Sequence, residues 1–86
     1  MTWENRSGEC EEWRLQLPNR LGYITVHRHR CAGAPRGWRL SGNPLFYSWG
    51  HGEPLESKTL EDAQREAVER TRTLLHGAIQ TLTRTT

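Results

Sequence analysis

The chain changes its hydrophobic period once, and that change decides its fold class. In EWRLQLP, GYITVHRHR and RGWRLSG, apolar residues recur at every second position: Trp13, Leu15 and Leu17, then Ile24 and Val26, then Trp38 and Leu40. Alternation of this kind marks half-buried strands. In SKTLEDAQREAVERTRTLLHGAIQTL the steps lengthen to three and four through Leu60, Ala63, Ala67, Thr71, Leu74, Ala78 and Leu82, and Val68, Leu75 and Ile79 widen the stripe. A stripe of that width is one face of an amphipathic helix.

Turn residues separate the strands. Pro18 stops the first, and NRLG, CAGAPRG and SGNP read as connections. LFYSWG reads as a fourth strand with Leu45, Tyr47 and Trp49 on one face, and HGEP closes the β region. Thr59 is placed to cap the helix, with Asp62 completing a capping box and Glu61 beside the positive helix end. Gly77 costs about 1 kcal/mol against alanine in a helix interior, so the helix is expected to loosen or end near His76 and Gly77.

The expected fold class is α+β: an antiparallel β-meander of three to four strands, with one long C-terminal α-helix packed on the face that carries Trp13, Leu15, Ile24, Val26, Trp38 and Leu40. A chain of 86 residues has room for one core, so residues 1–86 are read as a single domain. Within it lie an acidic N-terminal segment (1–12), a basic sheet region (13–52) and the helix (59–83).

Charge is segregated more sharply than the net value of +2 suggests. From Trp13 to Gly52 there is no acid, while Arg14, Arg20, Arg28, Arg30, Arg36 and Arg39 fall there with His27, His29 and His51. Alternation sends Ile24, Val26, Arg28 and Arg30 to the helix side. Tyr23, Thr25, His27 and His29 then occupy the open face beside Arg14, Arg36 and Arg39. A surface that is merely solvated mixes signs. Arg14, Tyr23, His27, His29, Arg36 and Arg39 are therefore the candidate binding residues, suited to phosphates and stacked bases or to an acidic protein surface.

Other chemistry finds less support. Cys10, His27, His29 and Cys31 are zinc-ligand types, but their spacing matches neither C-x2-C nor H-x3-5-H, so no metal is expected. His51 in its Gly-His-Gly loop, Glu53 and Ser48 form no legible triad, and no phosphate-cradling loop occurs, so neither catalysis nor a cofactor is expected. There is no long apolar run and no basic-then-apolar N-terminus, which predicts a cytoplasmic protein without a membrane partner, its cysteines free thiols.

The layout of GYITV, RGWRLSG and KTLEDAQREAVERTRTLL, from Gly22 to Leu82, is similar to that of the small β-meander-plus-helix proteins of phages and mobile elements, anti-CRISPR proteins among them. More distantly it resembles the HicB antitoxin, through Gly22 and Tyr23 in the strand and Thr59, Leu60, Glu61, Asp62 and Ala63 at the helix start. The P-x-x-P-G-C segment of HicB is missing here. The resemblance implies a function type and no site residues: a non-catalytic inhibitor, anti-CRISPR in type, acting in the host cytoplasm on a host protein or nucleoprotein complex. The alternative is an RNA or single-stranded DNA binding protein that uses the arginine-rich face, with Tyr23 and Phe46 as stacking residues.

Lengths add an expectation about assembly. A helix from Leu60 to Leu82 spans roughly 35 Å, against roughly 20 to 27 Å for strands of six to eight residues. Its surplus end carries Leu74, Leu75, Ile79 and Leu82, and a homodimer of two copies packed antiparallel would bury them.

Overall fold

The computed structural model describes residues 2–29, 37–46 and 52–85. The described residues form a five-stranded antiparallel sheet in sequence order: β1 (Glu4–Asn5), β2 (Glu11–Gln16), β3 (Tyr23–Arg28), β4 (Arg39–Asn43) and β5 (Glu53–Pro54). A helix, α1 (Leu60–Thr85), follows. The fold class is the expected one, a meander with a long C-terminal helix on one face.

Register follows from the alternation. Trp13 pairs with Val26 and Leu15 with Ile24, while Val26 pairs with Leu40 across the next ladder. Cross-strand partners share a face, so these residues make one apolar layer. Ile24, Val26 and Leu40 are wholly buried there, with Leu15, Trp38 and Leu55 around them. From α1 the layer receives Ala63 and Ala67, also wholly buried, whose small side chains let the helix lie close to the sheet. Thr71 continues that line and resolves its buried hydroxyl by donating to the Ala67 carbonyl at 2.8 Å.

The β2–β3 connection is a tight turn. Leu21 N–H donates to the Pro18 carbonyl at 3.2 Å, and both central residues, Asn19 (φ 57°) and Arg20 (φ 59°), are left-handed. Positive φ at both central positions is the hairpin turn whose twist suits right-handed strands. The helix start also follows its residues. Asp62 N–H donates to Thr59 Oγ1 at 3.2 Å, and Ala63 N–H opens the helical ladder on the Thr59 carbonyl at 2.9 Å. The Asp62 carboxylate turns to Arg65 at 3.4 Å.

Three sequence expectations are corrected. Leu45 and Phe46 belong to a turn, not to a fourth strand, and Tyr47 and Trp49 lie outside the described residues. The outer partner of β4 is instead β5, drawn from the segment read as a closing turn; its proline sits at the sheet edge, where a missing N–H leaves no ladder position empty. Nor does the helix end at Gly77. It runs to Thr85, because Gly77 stands among good helix formers and in open space.

α1 outruns the sheet. Its 26 residues span about 39 Å, and exposure climbs along it: Leu74 is 43 %, Ile79 62 % and Leu82 67 % exposed, whereas Leu75 is half-buried.

Candidate binding face

The face opposite the helix is built by the same alternation, one position out of phase. Arg14 pairs with Thr25, Gln16 with Tyr23, Glu12 with His27, and Thr25 and His27 pair onward with Ser41 and Arg39. Four of the six candidate residues, Arg14, Tyr23, His27 and Arg39, thus meet on one face. His29 lies just beyond β3, its ring edge-on to His27 with centroids 5.5 Å apart. Arg36 lies outside the described residues.

The centre of this face is not open to solvent. Thr25 is 3 % and His27 8 % exposed. Gly52 closes over His27: a side-chain carbon there would sit 3.1 Å from His27 Nε2, and the Gly52 carbonyl accepts from Arg39 Nη2 at 2.8 Å. His27 and Arg39 are therefore committed to packing this edge, and the surface available to a partner lies toward β2.

There Arg14 and Tyr23 form a stacked pair, the guanidinium carbon 3.9 Å from the ring centroid. Contacts of this kind hold a guanidinium flat on a ring and fix its direction. Both border a polar recess of about 250 Å³, lined by Glu12, Arg14, Tyr23, Thr25, Ser41, Gly42, Asn43 and Phe46. Arg14 Nε is buried and meets no acceptor among the described residues. The recess thus offers a directed cation, hydroxyls, an amide and one carboxylate beside two aromatic rings.

Register also corrects the charge expectation. The acids of the N-terminal segment do not stay apart from the basic block. Glu4 pairs with Arg14 through β1, and Glu12 lies across from His27. On the helix side Glu11 takes Arg28 in a 2.8 Å ion pair, and Arg28 covers the Trp38 ring at 4.8 Å. A short loop delivers these acids: Ser7 Oγ accepts from Glu12 N–H at 3.0 Å, and Arg6 N–H donates to the Glu12 carbonyl at 2.9 Å. The face is of mixed sign. Sequence reasoning missed Glu4 and Glu12 because their nearness appears only once β1 and β2 are paired.

Among the described residues no group of three metal-ligating side chains comes together. Cys10 is a free thiol, and Cys31 lies outside the described residues. No helix among the described residues is long and apolar enough to cross a membrane. No family model, no curated protein and no solved structure matches the chain.

Proposed function

We propose that this chain is a non-catalytic binding protein that engages a protein surface through the Arg14–Tyr23 side of its sheet. The partner type is the one the resemblance to small mobile-element inhibitors implies, a host protein or nucleoprotein complex in the host cytoplasm. The observation that carries this reading is the directed Arg14 guanidinium, stacked on Tyr23 at 3.9 Å beside a polar recess and with a buried Nε that meets no acceptor among the described residues. Arginine and tyrosine held rigid at the edge of a recess are the residue types that dominate protein interfaces. Such a site suits a carboxylate or backbone carbonyl at the end of a polar segment.

The alternative, RNA or single-stranded DNA along the same face, is less well served. Nucleic-acid binding rests on phosphate neutralisation by a cationic surface. Here Glu4 and Glu12 interrupt that surface, and Arg14 already covers one face of the Tyr23 ring.

Affinity capture with the native chain, Arg14→Ala and Tyr23→Ala, each with and without nuclease, decides between the readings. The expected result is one protein complex, retained after nuclease and lost in both variants. Capture that vanishes with nuclease, together with salt-sensitive binding of labelled oligonucleotides, would replace the protein reading with the nucleic-acid one. Capture unaffected by either substitution would remove this face from the interface.

A further inference from the structure

We infer that the overhanging half of α1 is the interface of a homodimer in which two copies lie antiparallel, each setting Ile79 and Leu82 over an apolar groove of the other. The groove has a volume of about 380 Å³ and runs between the β2–β3 turn and the middle of the helix, Val68 to Ile79. Leu15 and Ile24 form its floor, Leu17 and Leu21 its turn-side wall. Its helix-side wall is Val68, Arg72, Leu75 and Ile79.

Three observations point to a second copy as the occupant. The first is spacing. Val68, Arg72, Leu75, Ile79 and Leu82 follow one another at alternating steps of four and three, the repeat by which one helix packs its side chains into another. The second is continuity. The groove includes Ile79 and leads toward Leu82, at 62 % and 67 % exposure, so the residues that need cover and the recess that can give it lie on one stretch of helix. The third is offset, which also sets the direction. The helix residues that line the groove begin at Val68, whereas Ile79 and Leu82 lie about three to four turns further along the helix. An antiparallel pair carries Ile79 and Leu82 of one copy back over Leu75 and Arg72 of the other. A parallel pair would set each residue on its own counterpart, Arg72 on Arg72, and leave the groove uncovered.

With Leu75 opposite the partner's Ile79, the partner's Leu82 falls over Arg72, whose aliphatic stem covers it while the guanidinium stays in water. The contact is the same on both copies and closes at two. It does not rest on the sheet-face reading, since Arg14 and Tyr23 lie on the other side of the sheet.

Sedimentation equilibrium over roughly 1 to 100 µM, joined to thermal melts at the same concentrations, tests this. The native chain should approach twice its 10.0 kDa at the upper end, dissociate on dilution and melt higher when concentrated. Ile79→Glu should stay monomeric throughout with an unchanged circular dichroism spectrum. Leu82→Lys, at a side chain 67 % exposed and remote from the core, should weaken association at least tenfold and serves if Ile79→Glu fails to fold. A native mass of one chain at 100 µM overturns the inference, as does a dimer indifferent to Leu82→Lys. So does a monomer that co-sediments with anionic lipid vesicles, which would make the patch a lipid-facing surface.

Discussion

Glu66 Oε1 accepts the Ser57 hydroxyl at 2.6 Å, so a carboxylate in the second turn of α1 holds the strand-to-helix connection in place. The backbone N–H groups of Glu56 and Ser57 both donate to the same Oε1 at 3.0 Å, and Arg70 pairs with Oε2 at 2.8 Å. Burial by itself would raise the carboxyl's pKa. The Ser57 hydroxyl, the two amides and Arg70 together outweigh it and leave the group below its ordinary value of 4.5.

The first prediction follows from that sign. A carboxyl whose pKa is depressed by folding stabilises the native state above its unfolded pKa, and that contribution is lost as pH falls through the folded one. Hydrogen bonds to charged groups are worth about 1.5–3 kcal/mol each when isolated, less when shared. Glu66→Gln should therefore cost about 1–3 kcal/mol at pH 7 by denaturant unfolding. The gap between native chain and variant should be full well above pH 4.5 and narrow below it. A gap constant from pH 7 to pH 3 would show that the charge plays no part.

The second concerns Arg20, held at φ 59° in the β2–β3 turn. A left-handed residue with a Cβ costs roughly 1–2 kcal/mol, and glycine removes that cost while adding about 0.4–1 kcal/mol of unfolded-state entropy. Arg20→Gly should therefore stabilise by about 0.5–1 kcal/mol, raising the melting temperature by a few degrees. A lower melting temperature would show that the exposed Arg20 side chain contributes more than its backbone geometry costs.

Sequence reading was strongest where burial alone sets the pattern. Trp13, Leu15, Ile24, Val26 and Leu40 advertise their layer because each strand has one apolar face, and α1 shows its stripe and its Thr59 cap for the same reason. The two-residue strands were illegible. Glu4–Asn5 and Glu53–Pro54 are exposed and polar, and they are strands only because β2 and β4 offer an edge to pair with. The site was half legible: alternation put Arg14, Tyr23, His27 and Arg39 on one face, but the burial of His27 depends on Gly52, which comes from 25 residues further along the chain. Charge misled most. A run of sequence without acids became a face with acids once antiparallel pairing folded the N-terminal segment onto it.

A third prediction uses the helix–sheet spacing. Ala67 has no exposed surface, whereas Ala78, on the same stripe, is exposed beyond the sheet. Enlarging a packed position forces strain of about 1–3 kcal/mol. Ala67→Leu should lose that much by thermal or urea unfolding, while Ala78→Leu should change stability by no more than about 0.5 kcal/mol. Equal losses at both positions would mean that the helix is not seated on the sheet as described.

The last prediction sets two glycines against each other. Gly22 enters β3 at φ +92°, and a Cβ there would collide with the Asn43 carbonyl and lie 2.6 Å from Pro44 Cδ, so the start of β3 can pass the end of β4 only without a side chain. Gly77 sits inside α1 with nothing within 4 Å of the position a Cβ would take. Substitution by alanine must then act in opposite directions. Gly22→Ala meets a left-handed backbone worth roughly 1–2 kcal/mol and a backbone clash on top of it; it should lower stability by more than about 2 kcal/mol, which in a domain of this size is a melting-temperature loss of about 8 °C or more. Gly77→Ala meets no obstacle and recovers helix propensity, so it should gain about 0.5–1 kcal/mol and raise helical ellipticity. Paired thermal melts followed by circular dichroism read both. A loss at Gly77 would mean that the helix bends or packs there, against the continuous α1 described; a neutral Gly22→Ala would mean that β3 does not begin pressed against Asn43.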